Sequence, residues 1–216
     1  AKRRGLYGNK FGYLGGINCN ILVAFVCQLF PAACPSTLLH RFFRVYSGWS
    51  WPSPIQLNHI KPNMSGDDFR IWSEDYDYND PMITPSYPAM NSAKSVSENS
   101  LRVMTDEFLK GNDIMTKIMA EGGEGWNRLF VPSDFFVEYG HYLACHIVCS
   151  NEAREARSRE WKGLLQSLMR FFPDYLQQLP VTNIHLCPLE FPSNKSDGIN
   201  SCCYYIGFNM DHAAMH

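Results

Sequence analysis

The chain carries two groups of histidine and cysteine residues that could bind zinc, and the first group lies within one short stretch. His141, Cys145, His146 and Cys149 each offer a ring nitrogen or a thiolate, which are ligands that zinc prefers. They fall within residues 135–149, an aromatic and β-branched stretch that we predict to be a central strand because it is apolar on both faces. On a strand, positions 141, 145 and 149 share a face, but neighbours in this series lie about 13 Å apart. The four side chains are therefore not expected to converge on one ion.

The second group, His185 with Cys187, Cys202 and Cys203, lacks the spacing of a zinc ribbon. None of the eight cysteines forms a CxxC pair, and they are spread through apolar segments. We therefore expect free, buried thiols in a reducing compartment and no metal site. Four acids also lie close together in a turn-rich loop, and we interpret them as a solvated surface: Glu74, Asp75, Asp77 and Asp80.

The charge balance limits the kinds of partner that the chain can bind. It has 19 Lys plus Arg against 21 Asp plus Glu, a formal net charge of -2. A protein that binds nucleic acid by charge alone is normally basic, so any such site must be local. The basic run at residues 1–4 and the Gly15-Gly16 pair are, by themselves, typical of a solvated helix face and of a helix entry.

The first half of the chain is predicted to be helical. Its 216 residues, 45% of them hydrophobic, suffice for one large domain or two small ones. Apolar residues three and four apart predict a buried helix that follows Gly15-Gly16 and stops at Pro31. Its predicted buried face is Ile17, Ile21, Leu22, Phe25, Leu29 and Phe30. Polar residues interrupt the apolar stretch 17–34, so we predict no membrane span. A second helix is predicted to begin with a Ser36 cap.

The remaining elements combine helices and strands. Residues 52–88 are rich in proline and are predicted to form a long ordered loop. Ser95 and Glu98 then form a predicted capping box for a helix that reaches Ala120. The glycine-rich stretch 121–125 is a candidate domain boundary. Asn151 is predicted to cap a further helix, whose predicted core side is Trp161, Leu164, Leu165, Leu168 and Phe172. With predicted strands at 181–186 and 202–208, this order implies an α+β fold.

Several motifs, taken in order, resemble one protein family. The chain begins AKRRGLYGNKFGYLGGI and continues with CQLFPAACPSTLLHRFFRVYSGWSWPSP. Further along come MITPSYPAMNS, TDEFLKGNDI, WNRLF, FFVEYGHYL and WKGLLQSLMR. Together these segments resemble the central domain of eukaryotic poly(A) polymerases and the region that follows it. The resemblance covers nearly the whole chain.

This resemblance implies a fold and an activity. A helical central domain would occupy residues 1–124, and an RRM-like (ferredoxin-like) RNA-binding domain, incomplete at its C-terminus, would occupy 125–216. The implied reaction transfers AMP from ATP to RNA 3′ ends, with Mg²⁺ or Mn²⁺ held by carboxylates of a separate catalytic domain. No Gly-Ser pair followed by a D-x-D strand occurs in this chain. We therefore expect no catalytic residue here and no activity from this chain alone.

The resemblance also implies the residues on the ATP side of the cleft. Lys2 would approach the triphosphate as a point charge on a flexible stem. Tyr7 would contact ATP with its ring and hydroxyl, and the amide of Asn9 would pair with an adenine edge. Gly16 and Ile17 would let the backbone approach the nucleotide and pack against it.

On the RNA side, Arg170 matches a family arginine that contacts RNA, and its guanidinium can pair with phosphate or stack on a base. The alternative is a helix-end arginine that interacts with the last carbonyls. Ser95 stands where the family commonly has asparagine, and Leu168 stands where it often has lysine. With the acidic run at 73–80, these departures predict weakened RNA affinity.

The implied partners are ATP, the RNA 3′ end with its poly(A) tail, and cleavage or polyadenylation factors, for a monomer that binds no membrane. The resemblance favours a nuclear location and leaves a cytoplasmic one open. A second hypothesis is a non-catalytic RNA-binding or interaction module from a truncated gene product. The C-terminal tail, which contains His212 and His216, departs from the family and has no expected function.

Overall fold

The computed structural model describes residues 1–60, 72–73, 81–148, 155–192 and 201–211, with the backbone alone described for 155–159. Its α-helices are α1 (Gly16–Leu29), α2 (Pro35–Ser47), α3 (Glu98–Ala120), α4 (Phe135–Glu138), α5 (Glu155–Met169) and α6 (Phe172–Leu176). Its strands are β1 (His141–Ile147), β2 (Val181–Pro192) and β3 (Cys202–Met210). Short 3₁₀ helices lie at Lys2–Arg4, Asn9–Phe11 and Trp126–Phe130. Helices with an antiparallel sheet confirm the predicted α+β class.

The chain forms two compact units that alternate along the sequence. The sheet unit consists of Ala1–Tyr13, Ser97–Val103 and Val131–His216, and the helical unit consists of Leu14–Val96 and Met104–Phe130. Four predicted features lie outside the described residues: the acidic group at 74–80, Cys149, the Asn151 cap and the tail histidines. No single helix in the described segments is long and apolar enough to cross a membrane, although the bent pair Lys2–Phe11 and Gly16–Leu29 passes that test when taken together.

The sheet unit is built on three antiparallel strands in the order β1-β3-β2. Helix α5 follows β1 and precedes β2, so that β3 lies between the two strands that α5 connects in sequence. The predicted strands at 181–186 and 202–208 are confirmed as parts of β2 and β3.

The predicted central strand at 135–149 is wrong in its start and its position. Residues 135–138 form α4, and β1 begins at His141 on the edge of the three described strands. The aromatic residues before β1 instead cover one face of the sheet, with the ring centroid of Phe135 5.1 Å from that of His185 and Phe136 5.0 Å from Tyr205. The long apolar run is thus divided between the short helix α4, which covers the sheet, and the strand β1.

The first two helices confirm the predicted elements but change their details. Helix α1 ends at Leu29, before Pro31 as predicted, yet Ile17 is 64% exposed and Val26 is buried instead. Helix α2 begins at Pro35 with Cys34 as its N-cap, so the predicted Ser36 cap is wrong. Proline fits the first helical position because its fixed φ suits the helix and its missing N–H is not needed there.

Helix α3 is confirmed, but its capping box lies two residues after the predicted one. Ser100 N donates to Ser97 Oγ (3.3 Å), and Ser97 N donates to Ser100 Oγ (2.9 Å). This reciprocal pair satisfies two helix-terminal donors, as Ser and Glu do in the usual capping box. The predicted pair of Ser95 and Glu98 is therefore wrong, because a hydroxyl at position 100 takes the role expected of the glutamate.

The predicted core side of α5 is wrong for most of its residues. The outward side chains are between 42% and 56% exposed: Trp161, Leu164, Leu168 and Phe172. Met169 is buried instead, and Lys162 and Gln166 reach towards the strands. The face of α5 that meets the strands therefore combines buried Met169 with polar side chains that bond to Glu190 of β2 and Tyr204 of β3.

Each unit has a fully buried tyrosine near its centre. In the helical unit, Tyr46 donates its hydroxyl to Leu22 O (2.7 Å) within a cluster of aromatic rings. These rings belong to Phe42, Trp49, Trp51 and Phe108. In the sheet unit, Tyr204 packs against Phe11 and donates its hydroxyl to Glu190 Oε2 (3.0 Å).

Candidate functional site

The N-terminal segment 1–13 is fixed to the sheet unit by its apolar residues. The ring centroid of Phe11 lies 5.4 Å from that of Tyr204, and buried Tyr13 donates its hydroxyl to Leu186 O (2.7 Å). Arg4 donates to Val131 O (2.9 Å). Asn9–Phe11 also packs against α5. The chemistry-bearing residues of this segment are thus held on a folded support.

Three of the predicted ATP-side residues lie at the surface of this segment. The Lys2 ammonium lies 4.9 Å from the centroid of the Tyr7 ring, a cation–π contact. Tyr7 is 36% exposed, and Asn9 is exposed at the start of its 3₁₀ helix. A cation, an aromatic ring and an amide therefore remain accessible to a ligand.

The other two predicted ATP-side residues begin α1 in the helical unit. Gly15 is an extended N-cap without a side-chain cap, and the first helical bond runs from Cys19 N to Gly15 O. The N–H groups of Gly16 and Ile17 therefore have no acceptor within the helix, and the helix dipole adds positive potential there. Ile17 is also largely exposed. This terminus can accept an anion and pack an apolar ring.

Asn18 is a site-supporting residue that the sequence analysis did not identify. It is 1% exposed, and its Nδ2 donates to Ser92 Oγ (3.3 Å), while Ser92 Oγ donates to Met82 O (3.3 Å). These bonds tie the first turn of α1 to the segment that carries half-buried Ser95. An amide in an otherwise apolar helix was the signal available in the sequence, and Asn20 gives the same signal two residues later.

Arg170 follows the last residue of α5 and is half-buried. Its guanidinium carbon lies 4.7 Å from the centroid of the Phe171 ring. A guanidinium donates in its own plane, so stacking through its face does not use its N–H groups. The arginine can therefore stack on Phe171 and still pair with an anion.

The two units divide the predicted residues. Lys2, Tyr7, Asn9 and Arg170 belong to the sheet unit, whereas Gly16, Ile17 and Ser95 belong to the helical unit. Within the sheet unit, the structure brings the N-terminal segment onto α5, the helix that ends next to Arg170. Residues predicted for ATP and for RNA therefore share one unit, which sequence order alone did not suggest.

The potential metal ligands lie apart in the part of the chain that the structure describes. None of the described residues form a group of three or more His, Cys, Asp or Glu side chains that could hold a metal ion. His141 and Cys145 share one face of β1, and His146 lies on the other. Cys202 and Cys203 likewise point to opposite faces of β3.

The cysteines that the structure describes are free thiols, but the predicted burial holds only for Cys187, Cys202 and Cys203. Three others are half-buried: Cys19, Cys27 and Cys145. Cys34 is exposed at the N-cap of α2, with the hydroxyls of Ser36 and Thr37 3.2 Å and 3.3 Å from its sulfur. These hydrogen bonds stabilise the thiolate and lower the pKa of Cys34 to about 7. Burial instead raises the pKa of Cys187 and Cys202.

Comparison with known proteins identifies the family. The model of the poly(A) polymerase central domain matches residues 1–132. A poly(A) polymerase of Dictyostelium discoideum is 41% identical over 98% of this chain, which spans 26% of that protein. Nuclear poly(A) polymerase 4 of Arabidopsis thaliana is 43% identical over 79% of the chain, and nuclear poly(A) polymerase 1 is 38% identical over 96%; the chain spans 23% and 29% of them. The chain therefore belongs to the poly(A) polymerase family.

Proposed function

We propose that this chain is part of a polynucleotide adenylyltransferase that adds AMP from ATP to the 3′ ends of RNA. The observation that carries this proposal is the family match over residues 1–132, in a chain that is about 40% identical to curated poly(A) polymerases. The chain spans about a quarter of their length, so we assign the activity to a longer protein in which this chain takes part. The names of the Arabidopsis relatives support a nuclear location.

For the ATP side, we assign Lys2 to the triphosphate, Tyr7 to the nucleotide ring and Asn9 to the adenine edge. The exposure of these three side chains supports the assignment. Gly16 and Ile17 would complete the contact through the uncapped N-terminus of α1, which favours anions.

For the RNA side, we assign binding to Arg170 and Ser95. We further propose that residues 125–216 belong to an RRM-like domain and residues 1–124 to the central domain. In support, β3 lies between β1 and β2 while α5 connects those two strands, an arrangement found in ferredoxin-like folds. The Arg170 guanidinium carbon lies 4.7 Å from the centroid of the Phe171 ring, and a guanidinium stacked through its face keeps its in-plane N–H groups for phosphate.

The family implies Mg²⁺ or Mn²⁺, and the described residues do not fit such an ion. No three carboxylate, histidine or cysteine side chains gather in the part of the chain that the structure covers. We propose that the metal ligands lie outside this chain, whose sequence has no Gly-Ser pair followed by a D-x-D strand, and that the chain alone is inactive. Its own residues would bind and orient the two substrates, which raises their effective concentration.

The ATP assignment is tested with the chain fused to a family catalytic domain. Tyr7→Ala should raise the KM for ATP by about 5-fold or more, because a stacked aromatic ring contributes about 1–3 kcal/mol per base. Tyr7→Phe keeps the ring and should change KM less. Tyr175→Ala, at a 68% exposed tyrosine of the same unit, serves as the control. An unchanged KM for Tyr7→Ala would exclude Tyr7 from nucleotide binding.

A second candidate function is a non-catalytic RNA-binding or interaction module. It needs no catalytic domain, because the residues assigned to RNA, Arg170 and Ser95, both lie within this chain. This function requires the unfused chain to bind RNA with an affinity that falls as salt is added. If it binds no RNA at low salt, an RNA-binding role for the isolated chain is excluded.

A further inference from the structure

Besides Arg170, a second cation lies next to α5: Lys10, which belongs to the N-terminal segment 1–13. A β-carbon placed on Gly163 would lie 3.9 Å from Lys10 Nζ, so the ammonium lies directly over the helix at that glycine. The backbone at Lys10 is held beside α5 because the neighbouring Phe11 packs against buried Tyr204. Lys10 has no role in the proposed ATP site.

Lys10 lies beside Gly163 of α5, and Arg170 directly follows the last residue of that helix. Gly163 and Arg170 are seven residues apart, a spacing that corresponds to about two helical turns or roughly 10 Å and that returns to nearly the same side of a helix. The residues between them on this side are small, since Gly163 has no side chain and Ser167 folds back to donate to Gly163 O (3.0 Å). A shallow path therefore joins the two cations.

The two cations are suited to bind an anionic ligand. Among the described residues, neither Lys10 nor Arg170 has a carboxylate within ion-pair distance. Arg170 is stacked on Phe171, which is 42% exposed and places an aromatic face at one end of the path. Cations that track a backbone, with an aromatic ring on which a base can stack, are the combination that binds single-stranded nucleic acid.

We propose that Lys10 and Arg170 bind the phosphates of one single-stranded RNA segment along α5, with a base against Phe171. The proposal rests on the RNA role proposed for this chain and extends it to a residue outside the RNA-side motifs. The roughly 10 Å path matches about three stacked nucleotides at a rise of about 3.4 Å each. Lys10 would thus supply a cation on a helix that has Leu168 where the family often has lysine.

The test measures binding of the full chain to a fluorescently labelled single-stranded oligoadenylate by anisotropy at several salt concentrations. Lys10→Ala should weaken binding by about 3-fold to 10-fold at low salt and reduce the salt slope by about 0.7, as expected for one lost phosphate contact on a single strand. Lys10→Arg should keep the slope. Lys117→Ala removes an equal charge from an exposed position on α3 and should change neither quantity.

The outcomes separate this proposal from the broader RNA role. If Arg170→Ala weakens binding and Lys10→Ala does no more than Lys117→Ala, the two-cation path is wrong while the RNA role of Arg170 stands. If Lys10→Ala instead raises the KM for ATP in the fused enzyme and leaves RNA binding unchanged, Lys10 belongs to the nucleotide side. Equal binding of a polyglutamate peptide would show a surface without RNA selectivity. If the unaltered chain binds no oligoadenylate at low salt, both the path and the RNA role fail.

Discussion

Two fully buried tyrosines show how differently the two units are stabilised. Tyr46, in the helical unit, lies among aromatic rings and donates to a backbone carbonyl. Tyr204, in the sheet unit, accepts from Gln166 Nε2 (2.6 Å) and donates to Glu190, which also pairs with Lys162 (2.6 Å). The first is held mainly by packing, and the second links a helix to two strands through polar side chains.

The difference between the two tyrosines predicts which change most destabilises each unit. Burying an aromatic ring contributes through area and contact, which do not depend on protonation. A network of buried hydrogen bonds depends on every member, because a polar group that loses its partner has neither that hydrogen bond nor its former contact with water. The helical unit should therefore be sensitive to lost volume, and the sheet unit to lost hydrogen bonds and to pH.

The largest expected effect is removal of the Tyr46 ring. Tyr46→Ala should lower the free energy of unfolding by about 3–5 kcal/mol, as large-to-small changes of fully buried aromatics do. Urea unfolding followed by far-UV circular dichroism measures this loss. Tyr175→Ala removes an exposed ring and should change stability by less than about 0.5 kcal/mol. A loss below about 1 kcal/mol for Tyr46→Ala would contradict packing as the main contribution.

Removal of the hydroxyl alone should cost more stability at Tyr204 than at Tyr46. Tyr204→Phe deprives Gln166 and Glu190 of a partner and should cost about 1–3 kcal/mol, whereas Tyr46→Phe loses one bond to a carbonyl and should cost about 1 kcal/mol or less. Both variants keep the ring and are compared by the same urea titration. Equal losses would mean that the polar network adds nothing beyond one ordinary hydrogen bond.

The smallest expected effect is the pH dependence of the sheet unit. Although partial burial raises the pKa of Glu190, hydrogen bonds from Lys162 and Tyr204 leave it below its ordinary value. Its contribution is therefore present above the unfolded carboxyl pKa of about 4.3 and is lost as pH falls through the lower folded pKa. Since the pair is partly exposed, the effect should be about 1 kcal/mol or less.

The same pair predicts an alkaline limit of opposite sign. Although burial lowers the pKa of Lys162, its hydrogen bond with Glu190 raises it overall. That contribution is present below the unfolded pKa of about 10.4 and is lost as pH rises through the raised folded pKa.

Hydrogen exchange of β2 and β3 amides between pH 3 and 6 tests the acid prediction for Glu190, with Glu190→Gln as the control that removes the pH dependence. An unchanged acid response in Glu190→Gln would assign it to other carboxylates.

Element types were largely predictable from sequence, whereas caps and strand limits were less so. Proline at 31 and the apolar spacing after Gly16 act locally, so α1 and its end were predicted correctly. At the start of α3, the hydroxyls of Ser97 and Ser100 accept from each other's backbone N–H groups, in place of the expected serine and glutamate. The run at 135–149 was misassigned because apolar residues on both faces indicate burial without indicating what covers them.

The candidate site was predictable in residue types but not in grouping. The family motifs supplied Tyr7, Gly16 and Arg170, while the N-terminal segment was expected in the central domain and packs within the sheet unit. The position of Lys10 beside α5 depends on Phe11 meeting Tyr204, a contact between distant parts of the sequence. No local pattern encodes such a pairing.

The sequence alone specified the family, the α+β class and the C-terminal ends of α1 and α3, because these depend on motifs, periodicity and backbone chemistry near each residue. Only the tertiary structure decided which side of α5 faces the strands and which residues lie beside it. The physical reason is that a helical period tells which side chains share a face, while the free energy of burial depends on what the opposing surface offers. Here that surface offers Glu190 and Tyr204, so the side of α5 that carries Lys162 and Gln166 together with buried Met169 faces inward, and Trp161 faces outward.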